Sequence, residues 1–301
     1  MDPVRIGIDF GGTKIEAAAL DARGEFLLRR RVPNPGHYDA ALLAVRDLIA
    51  AIEAQLGRAA SIGMGVPGSI SPRTGMMRNA NTTWLNGRNL RADVTALLDR
   101  DIQIANDANC LELSEVIDGA ARGSRRAVAL ILGTGCGGGV VIEGRLVEGA
   151  HGIGGEIGHV SLPWPRGAEL DAPRCWCGQR GCVELWISGS GMQRDYAAVN
   201  GEHLDAPAIV AAARAGVAAG RIALDHYIDR LGRTLAMICN LLDPDTIVLG
   251  GGLSNVAELY ARVPDVVRQF VFSDVWQGKV VPARWGDSSG VRGAARLSLG
   301  L

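Results

Sequence analysis

Short apolar runs separated by glycine turns open the chain. Residues 4–10 form an apolar run, residues 11–14 a glycine-containing turn, and residues 15–20 a second apolar run. A further turn leads to a third run near residues 25–30. This pattern is typical of antiparallel strands, so it predicts a three-stranded meander. It disfavours a dinucleotide-binding fold, in which a helix would begin at the glycines.

The same pattern returns in the middle of the chain. Residues 127–132 form an apolar run, residues 133–139 are predicted to be a glycine turn, and residues 140–142 and 146–147 are predicted to be strands. Repetition of one supersecondary pattern indicates an internal duplication. We therefore predict an α/β fold built from two related units, whose two glycine turns hold one polyphosphate between them.

Helices and buried strands account for most of the remaining pattern. Apolar residues repeat at helical spacing over residues 45–56 and again over residues 227–242, where the stripe is predicted to be core. The polar segment 71–87 is predicted to be a functional loop. Three further apolar runs are predicted to be short buried strands, residues 61–66, 101–105 and 246–249.

Length and charge narrow the functional classes. A chain of 301 residues exceeds one ordinary core, so two domains are expected. With 31 basic and 32 acidic residues, the formal net charge is −1, which offers no basic surface to a nucleic acid or an anionic membrane. The N-terminus shows no signal-peptide pattern, and no apolar run is long enough to span a bilayer. A cytoplasmic protein with small-molecule partners is therefore expected.

The most specific chemistry lies in one loop of the second half. His159, Cys175, Cys177 and Cys182 are four soft ligands, and three thiolates with one imidazole suit Zn²⁺ in a closed tetrahedral shell. No coordination position is left for a catalytic water, so the ion is predicted to be structural. The alternative is a disulfide or unrelated buried thiols. Three thiolates persist best in a reducing compartment, which agrees with a cytoplasmic protein.

Carboxylates lie beside this loop and at the ends of strands. Glu156 precedes the histidine by three residues, and Glu184 follows the last cysteine by two. Asp9 ends the first apolar run, and Asp107 follows the run at residues 101–105. Because side chains at the carboxyl ends of strands in an open α/β sheet face the ligand crevice, these groups are predicted to share one site.

These segments together resemble the ROK family of sugar kinases, which have the actin-like ATPase (ribonuclease H-like) fold, over essentially the whole chain. Asp9-Phe10-Gly11-Gly12-Thr13-Lys14 resembles the first phosphate motif, Gly133-Thr134-Gly135 the second, and residues 249–252 the adenosine motif. The Cys-x-Cys-Gly-x-x-Gly-Cys loop after Glu-x-Gly-His resembles the family's zinc motif. Several longer segments more narrowly resemble bacterial fructokinases with mannokinase activity, residues 67–72, 79–81, 83–87, 105–110 and 286–295.

The resemblance implies a duplicated two-domain fold with a zinc-binding loop. The expected domains are residues 1–120 and 121–301, with residues 286–301 packing back on the first. The implied reaction is transfer of the γ-phosphoryl group of ATP to the 6-hydroxyl of a hexose, with Mg²⁺ at the nucleotide and structural Zn²⁺. Fructose is the expected sugar. Mannose, glucose, N-acetylglucosamine and N-acetylmannosamine are the alternatives within the reaction class.

Two alternatives come from other functional classes, and one expectation concerns assembly. A catalytically idle sugar sensor would keep this fold, and a zinc-dependent scaffold would leave the two glycine turns without a purpose. Relatives of this kind are often dimers, so a homodimer is expected from the resemblance alone. A helix-turn-helix domain is not expected, because the first strand begins at Val4.

The resemblance also assigns roles to single residues. Asp107 is the predicted base that accepts the proton of the sugar hydroxyl. The alternative is that Asp107 only caps the following helix. Lys14 contacts phosphate or is simply solvated. The other predicted sugar-binding residues are Gly68, Ser69, Asn106, Glu156, His159 and Glu184. The residues predicted to bind ATP and Mg²⁺ are Asp9, Gly11, Gly12, Thr13, Lys14, Gly133, Thr134, Gly135, Gly250, Gly251 and Gly252.

Overall fold

The computed structural model describes residues 3–299. Within this range the strands are β1 (Arg5–Phe10), β2 (Lys14–Leu20), β3 (Phe26–Pro33), β4 (Ser61–Val66), β5 (Ser69–Ile70), β6 (Met77–Arg78), β7 (Gln103–Asn106), β8 (Arg126–Leu132), β9 (Cys136–Ile142), β10 (Arg145–Leu146), β11 (Thr246–Gly250) and β12 (Lys279–Pro282). The helices are α1 (Tyr38–Leu56), α2 (Leu90–Leu98), α3 (Asp107–Asp118), α4 (Glu184–Ile187), α5 (Gly189–Asn200), α6 (Ala206–Arg214), α7 (Ala218–Leu242), α8 (Ala257–Phe270) and α9 (Ser289–Arg296).

Two five-stranded sheets repeat one topology. The first has the strand order β3-β2-β1-β4-β7 and the second the order β10-β9-β8-β11-β12. In each sheet the first three strands pair antiparallel, and the last two run parallel to the first strand of the meander. The predicted duplication is therefore confirmed.

Two helices lie between the sheets, and each packs mainly on the sheet of the other repeat. The last helix, α9, packs on β1 and β4, while α3 packs on β8 and β9, and the two helices also pack on each other. Glycines make this close approach possible, because a Cβ at Gly7 or Gly63 would lie 1.9 Å from a carbonyl oxygen of α9. These two helices therefore hold the two sheets close together.

Separate apolar cores cover the outer faces of the two sheets. Ile6 and Ile8 of β1 are fully buried beneath α1 and α2 with Ile49 and Ile52. In the second repeat, Val128, Leu130 and Leu132 of β8 pack into a core with α5 to α8. Each fully buried aliphatic side chain contributes about 1.5–3 kcal/mol relative to exposure. Burial on both sides explains why β8 and β11 are almost continuously apolar.

The start of β9 differs from the sequence prediction. The predicted glycine turn 133–139 ends early, because β9 begins at Cys136 rather than at residue 140. Its glycines permit close packing: a Cβ at Gly138 would lie 2.4 Å from the Gly155 carbonyl oxygen, and one at Gly139 would lie 2.6 Å from that of Ala108. The segment 71–87 is mostly irregular as predicted, although Met77–Arg78 within it pairs as β6 with β5.

A buried ion-pair network anchors the long loop between His159 and Cys175. Arg233 of α7 is fully buried and donates to the carbonyl oxygens of Pro163 and Trp164, each at 2.8 Å. Its Nη2 also donates to both carboxylate oxygens of Glu169, at 2.8 and 2.9 Å. A buried arginine is stable only when its donors are satisfied. This network therefore fixes the loop that carries the cysteine cluster.

The domain limits remain a proposal. We propose a boundary near residue 120, with the segment from residue 286 counted with the first sheet, because α9 packs on that sheet.

Among the described residues no single helix is both long and apolar enough to span a membrane, and only α6 and α7 taken together, bent by 113°, reach the required length and composition.

Candidate active site

A cavity of about 560 Å³ lies in the cleft between the two repeats. The first repeat contributes Gly68, Asn106 and Asp107 to its lining, and the second contributes Glu156, His159 and Glu184. The structure thus brings together all but one of the residues predicted to bind sugar. The second glycine turn, residues 133–135, also borders this cavity.

Ser69 is the predicted sugar residue that lies elsewhere. It lines an adjoining cavity of about 660 Å³, and its hydroxyl accepts a hydrogen bond from Arg78 Nε at 3.3 Å. Arg78 also donates to the carbonyl oxygen of His151 in the second repeat. Ser69 is therefore part of a contact between the repeats. Asn106 and Glu156 border both cavities.

Asp107 occupies the first position of α3 at the end of β7. Asn106 is the helix N-cap: its side-chain oxygen accepts from Ala108 N at 2.9 Å, and its amide nitrogen donates to the Gly68 carbonyl at 3.0 Å. Asp107 Oδ1 also accepts from Ala108 N at 2.8 Å. Burial, followed by the charges of Asp9 and Glu156, raises the pKa of Asp107 to about 6. A carboxylate with such a pKa is suited to accept a proton near neutral pH.

Asp9 is the last residue but one of β1 and lies near two other carboxylates, Glu16 and Asp287. Its neighbour across the strand pair is Glu16, which is fully buried and paired with Arg29 and Arg31. Burial and the charge of Glu16 raise the pKa of Asp9 to about 6, and Asp287 adds a smaller contribution in the same direction. Lys14 and Arg31 act in the opposite direction. Carboxylate oxygens such as those of Asp9 are ligands that divalent cations prefer.

The first glycine turn, residues 11–14, is held by hydrogen bonds and does not border the cleft cavity. Gly11 N donates to Lys14 O at 3.0 Å, and Asn34 binds both Gly11 O at 2.7 Å and Thr13 O at 2.9 Å. Within residues 3–299, the linings of the two cavities that flank the second turn contain none of Gly11, Gly12, Thr13 and Lys14. The charge of Asp9 raises the pKa of Asp107, so the hairpin that carries Asp9 lies close enough to influence the cleft electrostatically.

The second glycine turn lies between two cavities. On its far side is a cavity of about 730 Å³ lined largely by α5, α6 and the segment after β11. Gly133, Thr134 and Ser190 border this cavity and the cleft cavity alike. Ser190 Oγ donates to Thr134 O at 2.9 Å, and Gly189 N donates to Gly133 O at 2.7 Å. The turn is thus fixed against the N-terminus of α5, where backbone N–H groups favour anions.

The third glycine cluster divides into different roles. Gly252 lines the larger cavity. Gly250 and Gly251 allow close packing instead: a Cβ at Gly250 would lie 2.4 Å from the Leu111 side chain, and one at Gly251 would lie 2.6 Å from Leu132 O. Only the last glycine of the predicted adenosine motif therefore borders the cavity.

The cysteine loop has the geometry of a zinc site. One ligand atom from each of His159, Cys175, Cys177 and Cys182 lies within 4.8 Å of all the others. The sulfurs of Cys177 and Cys182 are 3.5 Å apart, and Cys175 Sγ is 3.7 Å from His159 Nδ1. Tetrahedral zinc with Zn–S bonds of about 2.3 Å places its sulfur ligands roughly 3.8 Å apart, so the four residues fit this ion. Binding through Nδ1 leaves Nε2 of His159 for the cavity that this residue lines.

Glu184 is held at both carboxylate oxygens. Its Oε2 accepts from Cys136 N at 2.9 Å, directly after the second glycine turn. Its Oε1 accepts from the indole Nε1 of Trp176 at 2.7 Å. A Cβ at Gly135 would lie 2.5 Å from Oε2, so the glycine makes room for this carboxylate. Two elements of the second repeat therefore fix one acidic group at the cavity.

Comparison with known proteins identifies the family. The family model described as ROK family matches residues 5–300. This chain belongs to the ROK family. The N-acetyl-D-glucosamine kinase of Pectobacterium atrosepticum is 41% identical over 298 residues, which cover 97% of this chain and 98% of the relative. The N-acetyl-D-glucosamine kinase of Escherichia coli (strain K12 / DH10B) is 38% identical with the same coverage. The comparisons thus support the ROK prediction, but these two relatives are not named for fructose.

Solved ROK structures confirm the fold class. The ROK hexokinase of Thermus thermophilus aligns with a TM-score of 0.87 and 29% identity over 99% of both chains. The ROK glucokinase of Streptomyces griseus, solved with glucose and AMPPNP, aligns with a TM-score of 0.80 and 26% identity over 98% of both chains. The predicted actin-like ATPase fold with duplicated domains is therefore correct.

Several residues that line the cleft cavity were not predicted from the sequence. Two of them, Asn79 and Asn81, belong to the polar segment 71–87, whose composition was the available signal. Ser188 and Ser190 lie in a Ser-Gly-Ser-Gly run that begins α5, which is a helix-start signal. Trp176 and Arg194 carried no such signal, because their positions depend on how the loop and α5 pack against the cleft.

Proposed function

We propose that this ROK protein is an ATP-dependent sugar kinase that transfers the γ-phosphoryl group to the 6-hydroxyl of a hexose. The observation that carries the proposal is the sharing of Gly133 and Thr134 by two cavities. One cavity has the carboxylates that bind sugar hydroxyls, and the other has the size and partly apolar lining suited to a nucleoside. Phosphates that span the turn would join the two substrates.

Asp107 acts as the base in this proposal. As the γ-phosphorus approaches the sugar, the hydroxyl oxygen forms the new P–O bond, its proton passes to Asp107, and the bond to the β-phosphate oxygen breaks to release ADP. Burial of Asp107 gives it a pKa of about 6, so it is largely ionised at neutral pH and ready to accept that proton. Glu156 and Glu184 serve as acceptors for other hydroxyl groups.

The residues present fit two metal ions with different roles. Asp9, within its group of carboxylates, would hold Mg²⁺. The magnesium ion would neutralise phosphate charge during transfer. The cluster of three cysteines and His159 would hold Zn²⁺, which would keep the His159 ring fixed at the sugar. Burial raises the pKa of the Cys182 thiol to about 12, so a cation is needed to stabilise its thiolate.

Two hexoses are the leading candidates. The curated ROK relatives at 41% and 38% identity are N-acetyl-D-glucosamine kinases, which makes N-acetyl-D-glucosamine the first candidate. Fructose is the second candidate, because residues 67–72, 79–81, 83–87 and 286–295 resemble bacterial fructokinases. Both candidates carry a 6-hydroxyl, so the proposed chemistry is the same for each.

A coupled ADP-release assay tests the proposal. Purified protein is assayed with ATP and Mg²⁺ on N-acetylglucosamine, fructose, mannose, glucose and N-acetylmannosamine, and ³¹P and ¹H spectra identify the phosphorylated position. We expect sugar-dependent turnover and a 6-phosphate product, with the highest kcat/KM on one of the two leading candidates. If no sugar supports turnover while ATP and a sugar still bind, the alternative of a non-catalytic sugar sensor is favoured.

A further inference from the structure

Trp176 lies in an unusual place for a large apolar side chain. It stands between the zinc-binding residues Cys175 and Cys177, and it is 59% exposed. It nevertheless borders the cleft cavity. An exposed tryptophan on a short loop gains little from burial, so its contacts are the better guide to its role.

Two contacts connect this indole with proposed sugar-binding residues. Its Nε1 donates to Glu184 Oε1 at 2.7 Å, while the other oxygen of Glu184 is held by Cys136 N at 2.9 Å. Its ring packs edge-to-face on His159, with 4.8 Å between centroids and an interplanar angle of 86°. A carboxylate oxygen has more than one acceptor direction, so Glu184 can bind a sugar hydroxyl while both contacts remain. Trp176 therefore restricts the orientation of two groups at the cavity.

The backbone that carries Trp176 is itself restrained. Gly178 N donates to Cys175 O at 3.0 Å, and Cys175 N donates to Gln179 O at 2.8 Å, which closes a tight loop around the tryptophan. The thiols on both sides of Trp176 belong to the four-residue zinc cluster. When these thiolates bind one ion, the intervening residue has little freedom to move.

We propose that Trp176 is a positioning residue for the hexose, which transmits the geometry of the zinc loop to Glu184 and His159. This inference rests on the proposed function of the cleft as the sugar site. The indole N–H fixes the carboxylate of Glu184, and the ring fixes the imidazole of His159. Pre-oriented acceptors bind a sugar more tightly than mobile ones, because less conformational freedom is lost on binding.

The kinetic test compares Trp176→Phe with Trp164→Phe. Phenylalanine keeps an aromatic ring beside His159 but removes the N–H donor. We expect the sugar KM to rise about fivefold to tenfold, as for loss of one hydrogen bond to a charged acceptor that is partly exposed. The KM for ATP and the zinc content measured by metal analysis should stay unchanged. Trp164 is an exposed tryptophan of the same loop outside the cavity lining, so Trp164→Phe should behave as wild type.

Two kinetic outcomes would overturn the inference. A sugar KM for Trp176→Phe within twofold of wild type would show that the N–H contact does not position Glu184 for the sugar. A parallel rise in the KM for sugar and for ATP, or loss of zinc, would show a general structural role instead.

A second measurement is independent of turnover. The indole N–H signals in ¹⁵N spectra report exchange with water, and that of Trp176 is assigned by its absence in Trp176→Phe. In zinc-loaded protein its exchange should be slowed, as for Trp285, whose Nε1 donates to Asp118 Oδ1 at 3.0 Å. Removal of zinc by a chelator should accelerate exchange at Trp176 and leave Trp285 unchanged.

The two measurements separate the inference from the proposed function. If the Trp176 proton in zinc-loaded protein exchanges as fast as that of exposed Trp164, the inference is wrong even when the protein is an active kinase. If Trp176 is protected in a zinc-dependent way but no sugar is phosphorylated, the contact stands and the proposed reaction fails.

Discussion

The two meanders have the same topology, but the residues around their glycine turns differ in charge. Asp9 lies two residues before the first glycine of its turn, and the equivalent residue of the second repeat is Ile131. Across the strand pair, Asp9 faces Glu16, whereas Ile131 faces Gly137. The first repeat therefore places two carboxylates where the second places an aliphatic side chain and a glycine.

The proposed function uses this difference between the repeats for two tasks. In the first repeat the buried charge of Glu16 is stabilised by Arg29 and Arg31, and Asp9 remains available at the strand end. In the second repeat Ile131 and Gly137 line the cleft cavity and leave space for substrate. In the proposed function, the first turn would hold the cation and the second would contact the substrates.

Loss of the base should have the largest effect. Asp107→Asn keeps the shape of the side chain but cannot accept the proton, so kcat should fall by about 10²–10⁴-fold. The sugar KM should change much less, because the amide can still form hydrogen bonds. Asp39→Asn on the exposed side of α1 is the matched control and should keep the wild-type rate. An Asp107→Asn enzyme with more than a tenth of the wild-type kcat would contradict the base assignment.

The pH profile of kcat/KM for the sugar checks the same residue. The pKa of Asp107 is raised to about 6, and the ionised form is the proposed base. Activity of wild type should therefore be constant well above pH 6 and fall tenfold per pH unit below it. The residual activity of Asp107→Asn should lack this acidic limb.

Removal of the charge at Asp9 should have a smaller effect and distinguishes the two repeats. Asp9→Asn removes the proposed ligand, so we expect about a tenfold to hundredfold loss of kcat and a higher Mg²⁺ requirement, as the ion supplies several kcal/mol of charge stabilisation. Ile131→Leu, at the equivalent position, should retain wild-type Mg²⁺ dependence. Titration of activity with Mg²⁺ measures both. If Asp9→Asn has an unchanged Mg²⁺ requirement, the cation site is elsewhere.

The sequence predicts repeating elements better than it predicts close approaches. The first meander, the helix stripe of α7 and the strand β11 follow from the pattern of apolar residues, because their apolar positions are buried. The glycines at 137–139 were misread as a turn. A glycine placed for close packing against α3 looks the same in sequence as one placed for a turn, and only the tertiary contact separates them.

The candidate site shows the same limit. Ligand types and spacing were sufficient to predict the zinc cluster, since four soft ligands within one short segment favour a metal site. The sequence did not predict that Ser69 accepts a hydrogen bond from Arg78 and lines the adjoining cavity, and its predicted sugar contact stays a prediction. Trp176 could not be selected, as its role depends on contacts between residues that the chain brings together only on folding.

The smallest expected effect concerns α3, the helix that joins the two repeats at the cleft. Glu112 of α3 is fully buried, and neither of its carboxylate oxygens has a hydrogen-bond partner within the described residues. It packs where a Cβ at Gly139 would lie 3.0 Å from its own Cβ. Burial, and secondarily the charge of Glu115, raises the pKa of Glu112 well above 4.5. The folded protein therefore holds the protonated form.

This burial makes stability depend on pH in a definite direction. The folded state binds the Glu112 proton more tightly than the unfolded state, so stability should fall as pH rises above 4.5 and continue to fall up to the folded pKa. Glu112→Gln keeps the shape without ionisation, and we expect it to be about 1–3 kcal/mol more stable than wild type at pH 8 and nearly equal at pH 4.5. Denaturant unfolding at both pH values measures the difference.

Glu115→Gln is the control: this carboxylate accepts hydrogen bonds from Ala120 N at 2.7 Å and Ser289 Oγ at 2.8 Å, so its loss should destabilise the protein. An unchanged pH dependence in Glu112→Gln would mean that the carboxyl group reaches solvent or a partner, and that α3 packs less tightly between the repeats than the structure indicates.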